Sequence, residues 1–127
     1  MSQEAAVTAR GVAHDGRLAS ENAGEKFVAK LAQFFPGASP VRVPVQITGG
    51  EIGGVSLTEN TVIEYGTAKE VLFASSLPLE FADQLRLRNA DGSLEADVYV
   101  VALQYHSGRT AVAARFAHEV ANWIVKD

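Results

Sequence analysis

Three histidines are the first residues to weigh for chemistry, because imidazole is the commonest metal ligand. His14, His106 and His118 are far apart in the chain. No H-x-x-x-H pair sets two of them on one helical face, and no carboxylate stands at ligand spacing beside them. The chain has no cysteine, which excludes thiolate metal sites and disulfides. A nucleophilic serine on a G-x-S-x-G elbow is absent too. Asp, Glu and Ser are plentiful, yet no spacing marks a working pair. The run Gly49-Gly50-Glu51-Ile52-Gly53-Gly54 is rich in glycine. A phosphate cradle needs Lys-Ser or Lys-Thr and then a helix, and neither follows. Turn chemistry accounts for these glycines as a flexible hairpin tip. The residues therefore point to a chain that is not an enzyme and holds no metal.

The elements that carry these residues are mostly short strands. Residues 1–21 lack a sustained apolar period and read as a mobile leader. A helix is expected over 22–37, with Asn22 as N-cap and Glu25 able to reach back to it. Phe27, Leu31, Phe34 and Phe35 follow at i, i+4, i+7 and i+8, one apolar stripe. Pro36-Gly37 ends it. Two destinations are open for that stripe: its own domain, or a partner.

Residues 38–127 read as one domain. Val41, Val43, Val45 and Ile47 alternate with polar residues and Pro44, a half-buried strand near an edge or bend. Val55–Tyr65 returns, Gly66-Thr67-Ala68-Lys69 bends, and Glu70–Ala74 forms a third strand. Leu77-Pro78-Leu79 is a loop that places leucines in the core. Gln84–Asn89 alternates strictly, with Leu85 and Leu87 inward and Arg86 and Arg88 outward. Asn89-Ala90-Asp91-Gly92 is a hairpin turn with Gly92 in the left-handed position. Leu94, Ala96, Val98 and Val100 share one parity; Val101, Leu103 and Tyr105 share the other. That switch predicts a bulge. His106-Ser107-Gly108-Arg109 turns again, and Val112, Ala114 and Phe116 face inward. Phe116, Val120, Trp123 and Ile124 repeat the helical stripe, and Lys126 suits a helix C-terminus. Trp123 is expected to anchor this last helix on the barrel. The whole is a mainly β chain: a six-stranded antiparallel β-barrel flanked by an N-terminal and a C-terminal helix.

Length and composition agree with one domain. The chain has 127 residues, 47% of them apolar and 20% charged, enough apolar content for a core. The net charge of −4 brings no general attraction to nucleic acid or anionic membrane, so neither is an expected partner. The opening residues hold no signal-peptide core, and no apolar run reaches the ~20 residues of a membrane span. A cytoplasmic location is the expectation.

The order of these elements resembles a PilZ domain over roughly Val41–Asp127. The similarity rests on Arg42-Val-Pro-Val45, Leu57-Thr58-Glu59 and Val71-Leu72-Phe73 in the first half. Leu77-Pro78-Leu79, Leu85–Asn89, Asp91-Gly92 and Glu95–Val101 carry the second, and Ala114-Arg115-Phe116 with Asn122-Trp123 the close. The resemblance implies a six-stranded barrel of the kind that often binds the bacterial messenger cyclic di-GMP. The family binds it through R-x-x-x-R and a later [D/N]-x-S-x-x-G. Arg42 matches the second arginine and Thr67 the serine, so these two are the candidate ligand residues. Ala38 stands at the first arginine, Tyr65 at the Asp or Asn, and Glu70 at the glycine. A register one residue earlier gives Glu64, Gly66 and Lys69, also a broken motif. The resemblance thus implies a PilZ-like scaffold with cyclic di-GMP binding weak or lost, and the expected role is a signalling adaptor that docks a protein partner. The alternative is a sensor of cyclic di-GMP or another anion, using Arg42, Thr67, Lys69, Arg86 and Arg88.

Overall fold

A computed structural model of the chain describes residues 27–120 and Trp123. The leader 1–21, Asn22 and Glu25, and Ile124 and Lys126 of the second stripe lie outside the described residues. Six strands follow in order: β1 (Ser39–Ile52), β2 (Val55–Gly66), β3 (Glu70–Ser75), β4 (Gln84–Asn89), β5 (Glu95–His106) and β6 (Arg109–Phe116). They close into a barrel in the order β1-β2-β3-β6-β5-β4, every described pair antiparallel. Closure leaves no long unpaired edge, which suits a sheet this small.

The expected strands are present, with β1 longer than alternation suggested. It runs on to Ile52, which pairs with Val55, so the hairpin tip shrinks to Gly53-Gly54. The β4 boundaries and the inward Leu85 and Leu87 are as expected. Gly92 sits at φ 77, the left-handed position the β4–β5 hairpin requires. The parity switch in β5 is a bulge between Val100 and Ala102. It keeps Leu103 on the core side with Val98 and Val100, while Ala102 turns to the outer face.

Two apolar layers result. The barrel interior is filled by Ile47, Ile63, Phe73, Leu87, Val98 and Val112, among others. The second layer lies outside β3 and β6, where Leu72, Ala74, Ala111 and Ala113 meet Phe27, Val28 and Leu31. The alanines on β6 leave room for the helix backbone to approach. Each large side chain so buried contributes about 1.5–3 kcal/mol relative to exposure.

The two flanking helices need correcting. Among the described residues there is one short helix, α1 (residues 27–32). It ends in tight turns, with N–H groups of Gln33, Phe34 and Phe35 donating three residues back to Lys30, Leu31 and Ala32. Such turns use up carbonyls that a continuing helix would need. Phe27 and Leu31 are buried, Phe35 is half-buried, and Phe34 is 74% exposed. The stripe therefore packs on its own barrel, with one phenylalanine left out. At the other end Phe116 is the last residue of β6, not the start of a helix. Its N–H donates to Lys69 O, and the Ala117 N–H donates to Asp97 O. Both bonds hold this backbone against neighbouring segments, where a helix could not form. Residues 117–120 are irregular, and Trp123 is not helical. No described helix is long and apolar enough to cross a membrane.

Candidate functional site

One rim of the barrel gathers the start of β1, the β2–β3 turn and the end of β6, because Ser39 pairs with Gly66, Gly66 with Val71, and Glu70 with Arg115. Thr67 stands in the turn. Its backbone N–H donates to Glu70 O at 2.9 Å. Its hydroxyl accepts from the Lys69 N–H at 3.0 Å and the Glu70 N–H at 2.9 Å, and donates to Glu70 Oε1. A hydroxyl has one hydrogen and two lone pairs, so all of its capacity is spent within the turn.

The second oxygen of the same carboxylate faces Arg115. Glu70 Oε2 accepts from Arg115 Nε at 3.0 Å and Nη2 at 2.8 Å. The antiparallel register puts the two residues directly opposite, β3 against β6. Glu70 is buried, while the Arg115 side chain is 45% exposed. The hydrogen bond to Glu70, and then its charge, hold the Arg115 guanidinium above its ordinary pKa. The result is a closed circuit from Thr67 through Glu70 to Arg115, with no oxygen of the Glu70 carboxylate left unengaged.

Trp123 seals the inner side of this turn. Its Nε1–H donates to Thr67 O at 2.9 Å, and its ring meets Phe116 edge-on at 5.5 Å. The ring also lies against Gly66, where a Cβ would fall 2.3 Å from it. Any side chain there would have to displace the ring. The expected anchor is thus an anchor, though it holds a turn in place of docking a helix.

Arg42 falls in a bulge, where Val41 and Arg42 together oppose Glu64 between the pairs Pro40–Tyr65 and Val43–Ile63. A bulge re-aims its side chains, and Arg42 lines a small cleft with Pro40, Glu64 and Tyr65. The other basic residues of the sensor set line different clefts. Lys69 lies beside the segment after β6. Arg86 bonds Asp97 at 3.0 Å and Glu95 at 3.3 Å on the outer face of β4 and β5. Arg88 lines a groove with Gln46 and Asn60. The barrel does not gather these four cations around one space.

His106 ends β5 with its ring 4.9 Å from that of Phe27, and His118 lies after β6. His14 is outside the described residues. The pairing of Glu70 with Arg115 was not legible in the sequence, since nothing there said that β3 adjoins β6. The only signal was opposite charge at the start of one strand and near the end of another. No protein-family model matches this chain, and a search of curated proteins finds no match.

Proposed function

We propose that this barrel is a non-enzymatic, PilZ-like bacterial signalling adaptor that acts by binding a protein partner, and that it has weak or no affinity for cyclic di-GMP. A cytoplasmic location belongs to the same reading. The observation that supports the loss of cyclic di-GMP affinity is the closed circuit at the β2–β3 turn, and the partner-binding role rests on the resemblance to the family. The family's serine position is Thr67, whose hydroxyl is fully used. The family's glycine position is Glu70, a buried carboxylate committed to Arg115. A dianionic ligand there would have to break charge-assisted bonds of about 1.5–3 kcal/mol each. It would also face the carboxylate. With Ala38 at the first arginine position, one guanidinium fork is missing as well.

Calorimetric titration with cyclic di-GMP tests this. The wild-type chain is expected to show no saturable heat at micromolar ligand; tight binding would replace the adaptor with the sensor. The triple variant Ala38→Arg, Tyr65→Asn, Glu70→Gly is expected to gain measurable binding. It should also melt at a lower temperature, because Arg115 loses its carboxylate partner. A folded triple variant that binds nothing would refute the positional match to the family motif.

A further inference from the structure

We propose that the cleft between the β2–β3 turn and the segment after β6 binds a monocarboxylate with an apolar body. This goes beyond the adaptor reading and does not depend on it. The cleft is open to solvent and measures about 710 Å³, within the ~300–1,000 Å³ of ordinary ligand sites. Its walls combine Phe116 and Val120 with Lys69, Arg115, His118 and Glu119. Charge decides the ligand class. The Arg115 charge is already balanced by Glu70 at 2.8 Å. Among the described residues neither Lys69 nor His118 has an ion-pair partner. Lys69, exposed to solvent, is therefore the cation free to pair with a ligand, and His118 lines the same cleft. Glu119 on the same wall opposes a polyanion. One negative charge satisfies Lys69 without setting a second one against Glu119, and half-buried Val120 with the methyls of Ala68 and Ala117 offers apolar surface for the rest of the ligand. The Lys69 backbone is held independently of its side chain, since its carbonyl accepts from the Phe116 N–H at 2.9 Å. The ammonium can thus serve a ligand without being needed for the turn.

The chain reports on this cleft by itself. Its one tryptophan, Trp123, packs on Phe116. N-acetylphenylalanine and its uncharged amide differ only in the carboxylate and make the probe pair. The acid is expected to change Trp123 fluorescence saturably, with Kd on the order of 1 mM for so small a ligand. It should also move the amide resonances of Ala68, Lys69 and His118, while the amide probe does neither. Lys69→Ala should weaken binding about fivefold, the scale of one exposed charge pair. Lys69→Glu should abolish it, and Lys69→Arg should keep it, with all three melting like the wild type. A hexapeptide ending in phenylalanine that binds over tenfold tighter assigns the site to a peptide C-terminus; equal binding assigns it to a free small acid. Equal response to acid and amide, tighter binding of inorganic phosphate, or indifference to Lys69→Glu would each overturn the proposal. The cyclic di-GMP titration probes a different ligand, so failure here leaves the adaptor reading untouched.

Discussion

Strands β3 and β4 are six residues each, yet they are built on opposite plans. Every residue of β3 is buried, because Val71 and Phe73 fill the barrel while Leu72 and Ala74 lie under α1. In β4 only Leu85 and Leu87 are buried; Gln84, Arg86 and Arg88 face solvent. From Val71 to Ala74 the sequence of β3 is continuously apolar, whereas β4 alternates strictly. The first plan draws stability from two packed layers. The second draws it from one layer plus what the hairpin turn and the outer charges add. A strand covered on both faces is a poor place for a ligand, and the polar residues of β3, Glu70 and Ser75, stand at its two ends. Glu70 sits at one such end, and its circuit with Thr67 and Arg115 is the polar counterpart of the packing beneath it.

If β3 is the doubly packed strand, the largest loss should come from its centre. Phe73→Ala is expected to destabilise by about 3–5 kcal/mol, because it empties a fully buried site in the barrel core. Urea unfolding would show it, and a loss under 1 kcal/mol would mean that the interior collapses onto the gap. The outer layer comes next. Leu31→Ala in α1 should cost about 2–5 kcal/mol, whereas Phe34→Ala, three residues on, should stay within about 0.5 kcal/mol. Leu31 is 5% exposed and Phe34 74%. Similar losses at both positions would dissolve the distinction between a packed face and a free one.

The same contrast explains what could be read beforehand. Alternation and turn residues place β4, its hairpin and the inward leucines, since each is a local pattern. The β5 bulge is legible for the same reason: a change of parity at Val100–Val101 is written in the sequence. Neighbourhood is not local. Nothing in the sequence of β6 says that it lies between β3 and β5, so the Glu70–Arg115 pair and the shelf of Ala111 and Ala113 under α1 could not be derived. Among the described residues the C-terminal helix is absent on the same ground. Phe116, Val120 and Trp123 have helical spacing, but Phe116 pairs across to Lys69 and Trp123 reaches back to Thr67. Tertiary contacts override the period there. The basic residues illustrate the limit for sites: Arg42, Lys69, Arg86 and Arg88 can be listed together in sequence, while the barrel spreads them over separate clefts.

The smallest effect belongs to the turn that closes β4 on β5. Asp91 accepts from the Ser93 N–H at 2.9 Å, and Asn89 Nδ2 donates to Ser93 Oγ at 2.9 Å. The Ser93 hydroxyl, and then the Ser93 backbone N–H, hold the Asp91 carboxyl below its ordinary pKa. A carboxyl with a depressed folded-state pKa stabilises the folded state above its unfolded pKa. That contribution fades as pH falls through the folded value. It is therefore fully present at pH 7 and declines below about pH 4. Asp91→Asn keeps an oxygen for the Ser93 N–H and removes the titrating group. Urea midpoints of wild type and Asp91→Asn, measured at pH 7 and again near pH 3, isolate this one residue from the other carboxylates. The wild type should lose slightly more stability between the two conditions than the variant. Parallel losses would show that the hairpin carboxylate contributes nothing through its charge. The inward leucines of β4, its ladders to β1 and β5, the Asn89–Leu94 bonds and the outer ion pairs would then secure this side of the barrel without it.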